Sequence, residues 1–204
     1  MTILTHTSIL IGAYLFGSIP FSVIVGYMFA GVDVRKTGSG NAGATNVYRV
    51  AGLPAAIIAG ALDALKGVLP VVAAKMLFPN EEWLQIACGL AAVVGHIFPI
   101  FAGFKGGKGV NTLLGMFLVL LPIEMLICLG VFAIMFALTR IVSVGSMTAG
   151  VSLSLIALIE KYIMAKNMSA LLLSACFAVS LLVLFTHRAN IRRLVRGEEK
   201  RLSR

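Results

Sequence analysis

Two glycine-rich segments of this 204-residue chain carry residue types suited to holding a phosphate. The first, Gly31 to Val50, reads GVDVRKTGSGNAGATNVYRV. Gly38, Gly40 and Gly43 let the backbone turn through left-handed conformations and come close to a ligand. Ser39, Asn41, Thr45 and Asn46 supply neutral donors, and Arg49 closes the stretch with a planar fork of N–H groups matched to a phosphate. Main-chain amides exposed by such a turn would form an anion-binding concavity. A plain solvated turn between two helices is the competing reading, and the density of Gly and amide side chains weighs against it.

The second segment, GHIFPIFAGFKGGKGVNT from Gly95 to Thr112, holds Lys105, Gly106, Gly107, Lys108 and Gly109. It approaches a Walker phosphate loop and fails it. Counting back from Lys108, Gly103 leaves three residues before Gly107 where four are needed, and Gly109 stands where Ser or Thr belongs. ATP hydrolysis is therefore not supported. Two ammonium groups beside exposed amides, at the start of a helix expected near Val110, still favour an anion. Flexible glycines serving a positive-inside anchor are the alternative. A third, smaller site is Arg140, Ser143 and Ser146 in TRIVSVGS, which alone reads as an interfacial loop and gains weight from being expected on the same membrane face.

Other polar residues stand in or beside apolar stretches. Asp63 and Lys66, at i and i+3, would each cost about 2.5 to 3.5 kcal/mol unpaired at mid-membrane, and pairing on one helix face removes much of that. A structural ion pair there is at least as natural as a catalytic one. His187 and Asn190 lie one turn apart where the last apolar stretch ends. His96 alone reads as a hydrogen-bonded structural histidine, and His6 as an interfacial one.

These segments need a scaffold, and composition says which. The chain is 59% hydrophobic and 12% charged, with mean hydropathy +1.00, against roughly 45–50% and about 25% in soluble domains. A water-facing shell cannot be built from so few charges, and disorder is excluded by the same figures. Seventeen Lys and Arg against eight Asp and Glu give +9, a sign of cytoplasmic loops and anionic ligands or lipid headgroups. Nucleic acid fits less well, because the basic residues are spread over several loops. Cys88, Cys128 and Cys176 lie far apart in apolar runs and read as lipid- or core-facing hydrophobes. The N-terminal stretch has no basic flank and no small-residue cleavage site, and reads as a retained first span.

Five stretches are long enough to cross a hydrocarbon core: Ile3 to Ala30, Ala51 to Phe78, Trp83 to Phe101, Val144 to Ile159 and Ser169 to Phe185. Val110 to Thr139 is either one long helix or two short ones turning at Pro122 and Glu124. A single crossing would place Arg188, Arg192, Arg193, Arg196, Lys200, Arg201 and Arg204 outside, against the positive-inside rule. Two legs of about 13 residues and about 20 Å each restore the rule, if shielded by neighbours or set in thinned bilayer. The expected fold is thus all-α, a polytopic bundle of seven transmembrane helices with N-terminus out and C-terminus in, forming one domain over residues 1–204. Arg35, Lys36, Arg49, Lys105, Lys108 and Arg140 then join the tail in the cytoplasm, while Glu81, Glu82, Glu124 and Glu160 mark outer turns.

Basic, glycine-rich loops on one face of such a bundle suit an enzyme that joins a lipid to a phosphorylated soluble molecule. A small transporter of phosphate or phospho-esters is the alternative, and it would need polar residues continuing to the outer face. None of His6, His96 and His187 has Asp five residues on, so the H-x-x-x-x-D pattern of common glycerolipid acyltransferases is absent. With only Asp33 and Asp63 in the chain, the repeated Asp motif of CDP-alcohol phosphotransferases is absent too.

The segments GSIPFSVIVG, KTGSGNAGATNVYRVAG, LDALKG, GHIFPIFAGFKGGKGV, TRIVSVGS and HRANIRR together closely resemble the bacterial acyl-phosphate:glycerol-3-phosphate acyltransferase family, PlsY, along essentially the whole chain. The resemblance implies an enzyme of the bacterial inner (cytoplasmic) membrane, multi-pass, with its active site facing the cytoplasm. It would move an acyl group from acyl phosphate to the sn-1 hydroxyl of glycerol 3-phosphate, giving lysophosphatidic acid and phosphate in phospholipid biosynthesis. The implied partners are those two substrates and the bilayer, with no nucleic acid, no cofactor and no metal. By resemblance, Ser39, Thr45, Asn46, His187 and Asn190 hold the acyl phosphate headgroup, with Ser39, His187 and Asn190 at the reacting group. Arg49, Lys105, Lys108, Arg140, Ser143 and Ser146 hold glycerol 3-phosphate. The mixed anhydride is already activated, so positioning two mutually repelling anions supplies much of the acceleration. Either His187 or the leaving phosphate can take the hydroxyl proton; substrate assistance is preferred, because no histidine has a carboxylate beside it in sequence.

Overall fold

A computed structural model describes residues 2–202; Arg204 of the basic tail lies outside them. The described residues form helices joined by short loops: α1 (Thr2–Gly17), α2 (Phe21–Ala30), α3 (Ala44–Leu77), α4 (Glu82–Ile97), α5 (Val110–Leu120), α6 (Pro122–Thr139), α7 (Val142–Tyr162), α8 (Ala170–Thr186) and α9 (Arg188–Val195), with a 3-10 turn at Ile100–Ala102. Two compact units divide the chain, Met1–Leu120 and Leu121–Arg204.

Five helical segments are long and apolar enough to cross a membrane, or six if α8 and α9, bent by 58° at His187, count as one span. The all-helical membrane architecture expected from composition is present. One of those five is Ile3–Ala30, in which α1 and α2 are separated by Ser18–Pro20. The chain breaks at Leu121, where Pro122 opens α6, so Val110 to Thr139 is indeed two helices. The two legs are unequal, however. With 11 residues α5 reaches about 16 Å, while α6 with 18 reaches about 27 Å. Glu124 is not in a turn either: it sits in the first turn of α6, 2% exposed, with its carboxylate bound by the Lys166 ammonium, which also reaches Glu160.

In the first unit α3 packs against α1, α2, α4 and α5, which shields the short α5. Glycine permits the closest of these approaches. A Cβ on Gly67 would stand 1.9 Å from the Thr112 carbonyl, and one on Gly115 the same 1.9 Å from that of Ala64. Helix α3 begins at Ala44, earlier than the expected Ala51, and is broken at Gly52, whose φ of 83° is open only to glycine without strain. Thr45, Asn46 and Arg49 therefore ride on a short helical piece ahead of the long span. Cys88 is buried in this unit, beside Leu84 and Ala74. His6 meets Glu81 at 3.2 Å and packs edge-on to Phe78 and Trp83.

In the second unit α7 packs on α6 and α8. Hydroxyls fasten α7 to α8: Ser154 donates to the Cys176 carbonyl at 2.9 Å, and Ser154 and Ser180 Oγ atoms lie 2.5 Å apart. Such bonds hold helices together where burial of apolar area gives no driving force. Cys128 and Cys176 are buried free thiols, as their apolar surroundings predict.

Candidate active site

The first loop of the Met1–Leu120 unit is organised from within. Asn46 is 1% exposed, and both ends of its amide are occupied. Its Nδ2 donates to the carbonyls of Val34 at 2.6 Å and Thr37 at 3.0 Å, while its Oδ1 accepts from the Ser39 amide at 2.7 Å. The side chain of Asn46, expected as a headgroup ligand, is engaged within its own loop here and holds the Ser39 amide. Gly38, at φ +63°, passes so near that a Cβ would lie 2.3 Å from Asn46 Oδ1. Ser39 itself is exposed, and Thr45 and Arg49 are half-buried on the first piece of α3.

A pair not singled out by sequence, Asp33 and Arg35, ties the two loops of this unit together. Arg35 donates through Nη2 to Asp33 Oδ2 at 2.7 Å and through Nη1 to the Ala102 carbonyl at 2.8 Å. The guanidinium bonded to it holds the Asp33 carboxyl below its ordinary range, against the opposing effect of burial. An Asp two residues before an Arg in a turn was the available signal; that Arg35 reaches 67 residues ahead was not.

The second loop also departs from expectation. Two of its glycine amides are already engaged: Gly106 N–H donates to the Ile97 carbonyl and Gly107 N–H to that of His96, each at 3.2 Å. These glycines are demanded by crowding. A Cβ on Gly107 would lie 2.3 Å from His96 Nε2 and 2.5 Å from the Ala42 carbonyl. Lys105, exposed, and Lys108, half-buried, flank the pinned pair, and α5 starts at Val110 as expected. A small cleft opens beside them, lined among others by Ser22, Asp63, Lys66, His96 and Lys105. Asp63 and Lys66 pair at 3.0 Å, with Ser22 donating to Asp63 Oδ2 at 2.8 Å. His96 joins that pair through Nδ1.

In the Leu121–Arg204 unit, Arg140 caps α6 in a left-handed conformation and is exposed. Ser143 and Ser146 are buried one turn apart on α7, while His187 stands at the α8–α9 bend and Asn190 on α9. Glu199, which no motif marked, joins two of them to Arg193: it accepts from Ser143 Oγ at 2.7 Å, Asn190 Nδ2 at 2.5 Å and Arg193 Nε at 2.6 Å. Burial alone would raise its carboxyl, and these donors outweigh burial and set it below its ordinary value. The Leu202 amide also returns to the Arg140 carbonyl at 2.9 Å. His187 Nδ1 donates to the Val183 carbonyl at 2.8 Å, so in the neutral ring Nε2 carries the lone pair.

Chemically, each unit presents hydroxyls and cations at a loop end of its helices, the arrangement that anionic substrates require. No group of three or more His, Cys, Asp or Glu able to hold a metal occurs among the described residues.

Residues 7–197 match the glycerol-3-phosphate acyltransferase family. Curated relatives of that name include a protein of Myxococcus xanthus, 46% identical over 97% of this chain and 100% of its own length, and one of Chlorobaculum tepidum, 40% identical over 98% and 97%. The fold is similar to the crystal structure of PlsY, an integral membrane glycerol 3-phosphate acyltransferase, in its glycerol 3-phosphate form, with TM-score 0.90, 38% identity, and 98% and 96% of the two chains covered. The lysophosphatidic acid form of PlsY gives TM-score 0.86 at 36% identity over the same shares. With that agreement along the whole length, the chain belongs to the glycerol-3-phosphate acyltransferase family PlsY.

Proposed function

We propose that this protein transfers an acyl group from acyl phosphate to the sn-1 hydroxyl of glycerol 3-phosphate in a bacterial inner membrane, with residues 1–204 acting as one domain of seven spans, N-terminus out, and the chemistry on the cytoplasmic side. The observation that carries this reading is the full-length likeness to PlsY, whose two structures are described by glycerol 3-phosphate and by lysophosphatidic acid. Ser39 and Thr45, with His187 and Asn190, hold the acyl phosphate headgroup, and Asn46 holds Ser39 in place. Arg49, Lys105, Lys108, Arg140, Ser143 and Ser146 receive glycerol 3-phosphate.

In the reaction the hydroxyl oxygen attacks the acyl carbonyl carbon, the bond from that carbon to the phosphate oxygen breaks, and phosphate leaves. The hydroxyl proton passes to the departing phosphate, so no side chain need titrate and no cofactor is required. A second reading, in which His187 takes that proton, is supported by the Nδ1 bond to the Val183 carbonyl that orients its ring. His187→Gln decides between them. Survival of much of the turnover across pH removes the histidine base; loss of several orders at unchanged substrate affinity removes substrate assistance.

The function itself is tested with purified protein, acyl phosphate and glycerol 3-phosphate, following phosphate release and lysophosphatidate together. Stoichiometric appearance of both is expected, with a large rise in glycerol 3-phosphate KM or near-complete loss of rate in Lys108→Ala. No release above buffer would refute the proposal and return the transporter of phosphate or phospho-esters.

A further inference from the structure

Within the Met1–Leu120 unit three ionisable side chains are buried together where apolar packing would join the helices at lower cost. Lys66, Asp63 and His96 are 2%, 1% and 6% exposed. Lys66 Nζ lies 3.0 Å from Asp63 Oδ1 and 3.4 Å from His96 Nδ1, and His96 Nδ1 is 3.5 Å from Asp63 Oδ1. Ser22 on α2 donates to the other Asp63 oxygen at 2.8 Å, and Thr112 on α5 donates to the Asp63 carbonyl at 2.9 Å. Polar contacts thus converge on Asp63 from the neighbouring helices, and Asp63 and Lys66 together face the Nδ1 edge of the imidazole.

The opposite edge of that ring explains why its rotation matters. His96 Nε2 occupies the space a Cβ on Gly107 would need, and the His96 and Ile97 carbonyls take the amides of Gly107 and Gly106. Lys105 and Lys108 leave this pinned dipeptide on either side. The same ring, Lys66 and Asp63 line the cleft that Lys105 and Gly107 line.

We propose that the Asp63–Lys66–His96 cluster is a positioning device that sets the Lys105–Lys108 loop for the phosphate of glycerol 3-phosphate, rather than a simple clasp between α3 and α4. The assignment of the ligand rests on the function proposed above; the control of the loop by the cluster does not. None of the three touches substrate in this scheme, so their effect passes through the two loop lysines. Misplacing such groups by about 1 Å costs up to about 100-fold.

The test compares the wild type with the neutral double variant Asp63→Asn/Lys66→Met, which dissolves the cluster without stranding a charge. Steady-state kinetics in both substrates are measured beside hydrogen exchange at the Gly106 and Gly107 amides and the melting temperature. The expected result is a rise of about 10- to 100-fold in glycerol 3-phosphate KM, acyl phosphate KM unchanged, and faster exchange at both amides. Unchanged KM and exchange overturn the proposal, as does a proportional loss toward both substrates that tracks a lower melting temperature, which is what a clasp produces. Should the double variant fail to fold, Ser22→Ala removes only one hydrogen bond to Asp63 and is read in the same way, an unaltered loop exchange rate being the refuting outcome. A wild type that forms no lysophosphatidate would sink the function instead, and exchange at Gly106 and Gly107 would still judge the device.

Discussion

Replacing Asn46 by Asp changes one atom's identity and almost no volume, yet it should open the first loop. The amide has two donor bonds, to the carbonyls of Val34 and Thr37, and one acceptor bond, from the Ser39 amide. A carboxylate keeps the acceptor and turns both donor contacts into oxygen facing oxygen. Each stranded buried carbonyl costs about 1–3 kcal/mol, so the closed loop loses about 2–6 kcal/mol. At about 1.4 kcal/mol per factor of ten, even the lower bound raises the open population about 30-fold. Hydrogen exchange at Ser39 in detergent or nanodiscs measures this directly, with Lys36→Gln, an exposed change on the same loop, as control. Apparent affinity for acyl phosphate should fall with the fraction of closed loop. An exchange rate at Ser39 within threefold of the wild type would refute the view that Asn46 organises the loop.

Gly67→Ala should destabilise the first unit by about 1–3 kcal/mol or more, because the new methyl has no room against the Thr112 carbonyl and the Met116 amide; unfolding of the purified protein measures it. Glu199→Gln should lower stability at neutral pH and reduce turnover by loosening Ser143, Asn190 and Arg193. Since folding lowers the Glu199 pKa, its contribution is present above the ordinary carboxylate value and is lost as pH falls through the folded one, so the stability difference between wild type and variant should shrink below about pH 4.

Local signals carried far along this chain. The break at Pro122 follows from keeping the basic tail on one membrane face, the start of α5 at Val110 from the apolar run that follows Gly109, the buried cysteines from their apolar runs, and the pairing of Asp63 with Lys66 from an i,i+3 spacing. What sequence hid depends on partners distant in the chain. Gly106 and Gly107 look like a phosphate cradle because glycine is the common answer to two demands, exposed amides and steric crowding, and only the approach of the α4 end decides for crowding here. Glu124 looks like a turn residue until Lys166, 42 residues on, is seen to bind it. Glu199 sits in a basic tail with no periodicity, so nothing local shows that Ser143, 56 residues earlier, donates to it. Asn46 was legible as a polar residue of the right segment, but an amide facing its own loop and an amide facing a ligand have the same sequence.

The engagement of the Gly106 and Gly107 amides has a kinetic consequence. A cradle of main-chain dipoles grips an anion at short range and is insensitive to salt, whereas ammonium groups on flexible stems attract it through solvent over about a Debye length, roughly 8–10 Å. With the Gly106 and Gly107 amides committed to a helix end, the proposed site would meet its phosphorylated substrate by the second means. Capture at such a loop is steered and fast, release is correspondingly easy, and the encounter rate slows as ionic strength rises.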